Sequence, residues 1–392
     1  MTILIITSSY PALYRESFAG AFIEALAEAL VQQGCRVYIV TQCTGAVVYR
    51  DPPGIAVHRF AWSGRSKPLA NLSLGKDAIN MFSYFRSGCR VLHHLVTSVS
   101  IDVTLCAWTL PSGLFGWYLK RRHGIPYLTW SLGSDIWKYA YNPITRRLLK
   151  RLFDTSLKNY ADGYDLIEQI DAISSTGASF LSTTRILPPA DHTQVTVAEG
   201  KTIFLFVGRY HRNKGPDLLL DAIRLLNDSA QHHTVFHFFG TGDMQAHLQS
   251  QVQATGLQHH VTINGPISAA VLSAYLETVD YLVIPSRIDS IPVILSDALQ
   301  KRCPVIVTDV GDMGRVVSEH RAGYVVTPED PLVLAQVIEQ AYLQRDWHEP
   351  GMKALYRMFN VEENANRLLR DIRAGVGQKP KKIGQTHEPA LS

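Results

Sequence analysis

Two basic side chains, Arg209 and Lys214, stand with four residues between them in Phe206-Val-Gly-Arg-Tyr-His-Arg-Asn-Lys-Gly215. Two carboxylates, Asp289 and Asp297, stand with seven between them in Pro285-Ser-Arg-Ile-Asp-Ser-Ile-Pro-Val-Ile-Leu-Ser-Asp-Ala-Leu299. A guanidinium offers phosphate a planar fork and an ammonium offers a point charge, so Arg209 and Lys214 could together hold a diphosphate. A solvated basic loop would have the same composition. Asp289 falls in a loop and Asp297 within the helix that follows. Between them Ser290, Ile291, Pro292 and Val293 lie where a helix start leaves N–H groups free for phosphate or sugar oxygens. The plainer alternative makes Asp289 an N-cap and Asp297 a solvated helix residue. In Phe18-Ala-Gly-Ala-Phe22, Gly20 permits close backbone approach to a ligand, or simply makes a turn.

These residues need elements to hold them. Residues 3–7 form a continuous apolar run, the mark of a strand buried on both faces. Phe22, Ile23, Leu26, Leu30 and Val31 recur at helical spacing, Gly34 stops that helix, and residues 37–41 read as the next strand. This is a βαβ unit, which implies a parallel sheet. The alternation continues with strands at 101–106 and 127–130 and helices at 114–122 and 145–160, and residues 193–200 read as a linker. A second series of strands follows at 203–207, 235–239, 261–263, 281–284, 305–308 and 324–326, with a last helix over 361–372. The expected architecture is α/β, with two doubly wound parallel-sheet, Rossmann-like domains facing each other across a cleft. Arg209 and Asp289 then lie at the carboxyl ends of strands, where such sheets bind ligands. The expected boundaries are 1–190, 200–355, a C-terminal helix at 356–375 returning to the first domain, and a disordered tail at 376–392.

The chain has 392 residues, 46% hydrophobic and 18% charged, with a net charge of +4, which suits two globular domains and argues against bulk nucleic-acid binding. Its five cysteines form no Cys-x-x-Cys pattern, so reduced thiols and a cytoplasmic location are expected. No run reaches the roughly 20 apolar residues that span a bilayer. Arg146-Arg-Leu-Leu-Lys-Arg-Leu-Phe153 is the one stretch suited to peripheral contact, on an inner membrane face. It also fits a core helix with a solvated side. No Asp-x-Asp element follows a strand, so no metal and no resident cofactor are expected. Asp309-Val-Gly-Asp312 reads as turn and helix-cap chemistry.

Taken together, the Gly-Arg-x4-Lys-Gly element, the two acids seven residues apart and the following Pro304-Val-Ile306 resemble retaining glycosyltransferase family 4, the glycosyl transferases group 1 of GT-B fold. Gly240-Thr-Gly242-Asp243, Gly265-Pro266 and Gly323-Tyr-Val-Val-Thr-Pro328 fall where the family has comparable loops. The resemblance implies a metal-independent, hexosyltransferase-type enzyme of class EC 2.4. Such an enzyme moves a sugar from a nucleotide diphosphate sugar to a glycan, lipid-linked or small-molecule acceptor. It implies that Gly208, Arg209 and Lys214 hold the donor diphosphate, that Asp289 touches the sugar hydroxyls and that Asp297 touches the ribose. It places Gly20, Gly240, Gly242, Gly265 and residues 290–293 around the donor. Trp108-Thr-Leu-Pro-Ser-Gly113 and Leu132-Gly-Ser-Asp135 line the cleft in the resemblance, with Trp108 and Ser134 on the acceptor side. Both acids are one methylene shorter than the family's glutamates. Leu132 stands where relatives carry His, which leaves Asp135 as the substitute catalytic base.

A nucleotide-sugar epimerase of the same fold and a non-catalytic nucleotide-binding relative remain as alternatives. A dinucleotide dehydrogenase fails, because residues 8–20 contain no Gly-x-Gly-x-x-Gly.

Overall fold

Apolar runs closed by turn residues become strands buried on both faces, and amphipathic segments between them become the covering helices. The computed structural model describes residues 1–13, 20–43, 49–64, 77–195, 200–344 and 349–376. The first half runs β1 (Thr2–Thr7), α1 (Ala21–Gln32), β2 (Arg36–Gln42), β3 (Ala56–Phe60), α2 (Ala78–Ser98), β4 (Val103–Ala107), α3 (Thr109–His123) and β5 (Tyr127–Ser131). It continues with α4 (Ser134–Trp137), α5 (Pro143–Thr155), β6 (Asn159–Ala161), α6 (Tyr164–Asp171) and β7 (Ser179–Phe180). Its sheet is seven-stranded and parallel, in the order β3-β2-β1-β4-β5-β6-β7.

The second half runs β8 (Thr202–Val207), α7 (Pro216–Arg224), α8 (Asp228–His233), β9 (Thr234–Phe239), α9 (Gln245–Ala254), β10 (Val261–Asn264), α10 (Ala269–Thr278) and β11 (Tyr281–Ile284). After these come α11 (Val293–Gln300), β12 (Val305–Thr308), α12 (Met313–His320), β13 (Gly323–Val326), α13 (Pro331–Gln344) and α14 (Glu349–Tyr356). Its six parallel strands are ordered β10-β9-β8-β11-β12-β13. Strand order reverses between β1 and β4 in one sheet and between β8 and β11 in the other, the two places where a doubly wound sheet opens a crevice.

The last helix, α15 (Val361–Val376), lies against α1 of the first domain. Val361, Ala365, Leu368, Leu369 and Ile372 complete the core beneath β1 and β2. Tyr160 donates its hydroxyl to Asp371 at 2.6 Å and Arg367 donates to the Phe180 carbonyl at 2.7 Å, which ties the helix to β6 and β7. The expected tail lies outside the described residues from 377 onward, as does part of the expected linker.

One element departs from expectation. The helix read over 145–160 ends at Thr155, and Tyr160 sits in β6. Leu149, Leu152 and Phe153 face the core as a helix requires. Leu157 and Tyr160 continue the same spacing, but Ser156 is extended and the chain turns there into the sheet. The start is well specified: Asn142 accepts from Ile144 N–H at 2.9 Å, with Pro143 in the first turn. Among the described residues no helix is long and apolar enough to cross a membrane.

Candidate active site

The loops leaving β8, β9 and β11 lock together before any ligand is considered. A Cβ at Gly240 would sit 1.9 Å from the Gly208 carbonyl oxygen, and one at Gly242 would sit 2.2 Å from that of Tyr210. Tyr210 N–H donates to Thr241 O at 2.9 Å, and its hydroxyl donates to Asn264 O at 2.7 Å. Gly215, at φ 67°, opens α7 against Pro285, whose carbonyl oxygen would lie 1.9 Å from an added Cβ. Arg287 clasps Asp217 with bonds of 2.7 and 3.0 Å and donates its backbone N–H to Asn213 O at 2.8 Å.

This lock sets Lys214 opposite Asp289. The ammonium donates to Asp289 Oδ2 at 2.5 Å, and Ser286 Oγ donates to the same oxygen at 2.9 Å. Thr308 in turn holds the Ser286 carbonyl at 2.5 Å. A cavity of 540 Å³ opens beside the pair, a volume typical of small-molecule sites. Gly208, Arg209, Lys214, Gly240, Asp289, Pro292 and Val293 line it, together with Arg185 and Pro266. Arg209 is exposed at its edge, with no side-chain partner among the described residues. Asp289 is therefore no N-cap; α11 starts after Pro292.

Other expected residues stand apart from the cavity wall. Gly265 supports it from behind, accepting from Gly240 N–H at 3.1 Å. Gly242 shapes the loop, Ile291 is in the core and Ser290 is buried with its hydroxyl unpartnered. Asp297 is not the solvated helix residue of the plainer reading. It is wholly buried, and the Arg185 guanidinium grips it through Nε at 2.9 and 3.1 Å and through Nη2. Burial raises the Asp297 carboxyl and Arg185 pulls it back. Arg185 lines the cavity, and Asp297 is not part of its wall.

Asp135, the expected substitute for the family's histidine, is held by the backbone around it. It is buried, and its oxygens accept from Thr109 N–H at 2.6 Å and Leu132 N–H at 3.0 Å, clamping the start of α3 to the end of β5. Burial lifts its pKa to about 6 against those hydrogen bonds. Trp108, at φ 59°, packs half-buried on Phe22 at 5.7 Å, and Ser134 is exposed at the start of α4. Gly20, at φ 75°, precedes α1 with its backbone against Ser9. Phe18 and Ala19 of the quoted segment lie outside the described residues.

Gly163 and Asp162, which the sequence did not single out, and Asp312, read there as turn and helix-cap chemistry, complete the arrangement where the domains meet. A Cβ on Gly163 would fall 2.3 Å from Ser290 Oγ and 2.5 Å from Asp312 Oδ2. Asp312 makes no bond to its own helix; it accepts from Asp165 N–H at 3.1 and 3.3 Å and so caps α6 of the other domain. Asp162, at the end of β6, is 6% exposed with Oδ1 unpartnered. Burial, then Asp135, Asp289 and Asp312, hold its carboxyl well above the usual range. The only local signal was an Asp-Gly at the end of a strand.

The profile described as Glycosyl transferases group 1 matches residues 189–353, and that described as Glycosyl transferase 4-like domain matches residues 19–167. The chain is 26% identical over 349 residues to a D-inositol 3-phosphate glycosyltransferase of Arthrobacter sp. (strain FB24), covering 82% of this chain and 81% of that one. In structure it is similar to sucrose-phosphate synthase from Thermosynechococcus elongatus, with a TM-score of 0.78 at 18% identity, covering 97% and 100% of the two chains. It is also similar to Anabaena Alr3699/HepE, solved with UDP and glucose, with a TM-score of 0.68 at 13% identity over 95% and 100%. At those identities the structural likeness speaks for the fold.

Proposed function

The chain belongs to the GT-B glycosyltransferases of the family 4 type, matched in both of its domains, and we propose that it works with retention of anomeric configuration and without a metal ion. The observation that carries this reading is the Lys214–Asp289 pair, 2.5 Å apart, beside Arg209 in a 540 Å³ cavity. A diphosphate there meets two cations and the first-turn N–H groups of α11, which a helix leaves without internal partners. Lys214 exchanges Asp289 for a phosphate oxygen when donor enters, and Asp289 is left to accept from the sugar hydroxyls. As the bond from C1 to the diphosphate oxygen breaks, Arg209 and Lys214 stabilise the charge that develops. The acceptor oxygen bonds C1 on the same face, and its proton passes to the departing phosphate oxygen.

UDP-glucose is the first donor to test, because HepE was solved with UDP and glucose. The acceptor is a glycan, a lipid-linked sugar or a small molecule. Calorimetry with UDP, with and without chelator, should give equal affinities; loss of binding on chelation would overturn metal independence. Product anomers read by NMR decide between retention and inversion.

A further inference from the structure

Three neighbouring helices cover one side of the first sheet: α3 lies against α2 on one flank and against α5 on the other. Their outward side chains are unlike the rest of the molecule. Helix α2 exposes Arg86 and Arg90, and α3 exposes Lys120, Arg121 and Arg122. Helix α5 exposes Arg146, Arg147, Lys150 and Arg151. Against these nine cations the three helices carry one acid, Asp154, which Lys150 pairs at 2.8 Å. Taking the nine and the one from the chain's 38 basic and 34 acidic residues leaves 29 against 33. The positive charge of the protein is therefore concentrated on this face, and the remainder is mildly acidic.

The same face carries exposed apolar side chains, and they gather at one end. Ile79 and Phe82 in the first turns of α2 are 82% and 68% exposed; Tyr141 and Ile144 at the start of α5 are 85% and 78% exposed. Helices that connect parallel strands run opposite to them, so helix N-termini stand at the carboxyl edge of the sheet. That edge faces the cleft. The apolar groups thus stand at the carboxyl edge of the sheet, on the side of the cleft, and the cations extend away from it down the helices.

We infer that the α2–α3–α5 face docks on an anionic lipid bilayer, with Ile79, Phe82, Tyr141 and Ile144 entering the headgroup region and the cleft opening onto it. Cations near a negatively charged leaflet add attraction that salt screens, and apolar side chains add a contribution that salt does not remove. A soluble polyanion would use the charges but not the apolar rim. A second copy of the chain would bring like charge against like. The docking is independent of the glycosyl-transfer reading, which determines only what the docked cleft does.

The test is flotation of the full chain with phosphatidylglycerol–phosphatidylcholine vesicles and with phosphatidylcholine alone. Binding is expected to the anionic vesicles only, weakening as salt rises. Each cation removed should lower affinity about fivefold, so R86Q/R90Q/R147Q should lose on the order of a hundredfold. These arginines are exposed and make no side-chain hydrogen bond, ion pair or ring contact among the described residues, and an unchanged melting temperature shows that the fold is intact. Tyr141→Ser with Ile144→Ser should abolish the binding that remains at high salt. Failure to float with anionic vesicles overturns the inference. So does binding to heparin and vesicles alike with no effect of the apolar substitutions, which would make the partner a soluble polyanion. Turnover of UDP-glucose in vesicle-free solution, measured in parallel, separates failure of docking from failure of the transfer reading.

Discussion

Lys214 is the residue whose loss should be felt in the chemical step. In the proposed reaction its charge faces the group that becomes most negative as the diphosphate leaves, and removing one such donor costs on the order of 100-fold or more in rate. Lys214→Ala is expected to lower kcat to that extent in a donor-turnover assay, and a wild-type rate with unchanged KM would remove the active site from this cavity. Asp297 belongs to a different class. A ribose contact would make its loss a change in KM alone. Buried and bonded to Arg185, it holds the end of the first domain's chain to α11. Asp297→Ala breaks the ion pair of a buried guanidinium and should cost about 3–5 kcal/mol, read as a lower urea midpoint. Neither fact was legible in the sequence, because Arg185 and Asp297 are separated by 112 positions and only the fold makes them neighbours. Asp162 carries a pH dependence whose sign can be worked out. Its folded carboxyl holds its proton more tightly than the unfolded chain does, where it titrates near about 3.9. As pH rises above that value the unfolded state loses the proton first, so this group lowers stability progressively up to its raised folded value. Asp162→Asn should flatten part of the decline and raise the melting temperature at neutral pH, measured by thermal melts across a pH series.

At the scale of elements, the strands were the most legible part, because a strand buried on both faces is written as an uninterrupted apolar run. Six of the six residues in β1 are buried, and the run TILIIT announces it. Short strands such as β6 and β7 are different: their burial comes from neighbours, and three or two residues make no period to read. Helix α15 was expected to return to the first domain. Its apolar side enters the first domain's core, although the helix follows the second domain in sequence. Leu368 is fully buried there. Leu368→Ala should cost about 2–5 kcal/mol. Hydrogen exchange should place the loss in α1, β1 and β2 and leave β8 to β13 protected. Equal loosening of both sheets would mean that the helix serves the second domain as well.

At the scale of the whole molecule, the proposed donor residues and the proposed acceptor side belong to different domains, and Gly163 lies where the two domains meet. Glycine there lets the end of β6 approach Ser290 and Asp312, while Asp312 caps α6 from across the cleft. The chain crosses between the sheets after β7 and again before α15, so hinge closure over a bound donor is available to it. Gly163 has φ −156° and ψ 156°, extended backbone that valine adopts readily. A valine would therefore leave the local backbone unstrained, while its Cβ would collide with Ser290 and Asp312 of the other domain. Gly163→Val should keep the affinity for UDP within about twofold, because the cavity wall that takes the nucleotide lies almost wholly in the second domain. It should lower kcat, since the acceptor side no longer meets the donor sugar. In small-angle scattering, wild-type protein is expected to contract when nucleotide saturates it, and the valine variant should stay at the larger radius. Wild-type turnover by Gly163→Val, or contraction equal to that of the parent, would show that this contact is not the one on which the domains close.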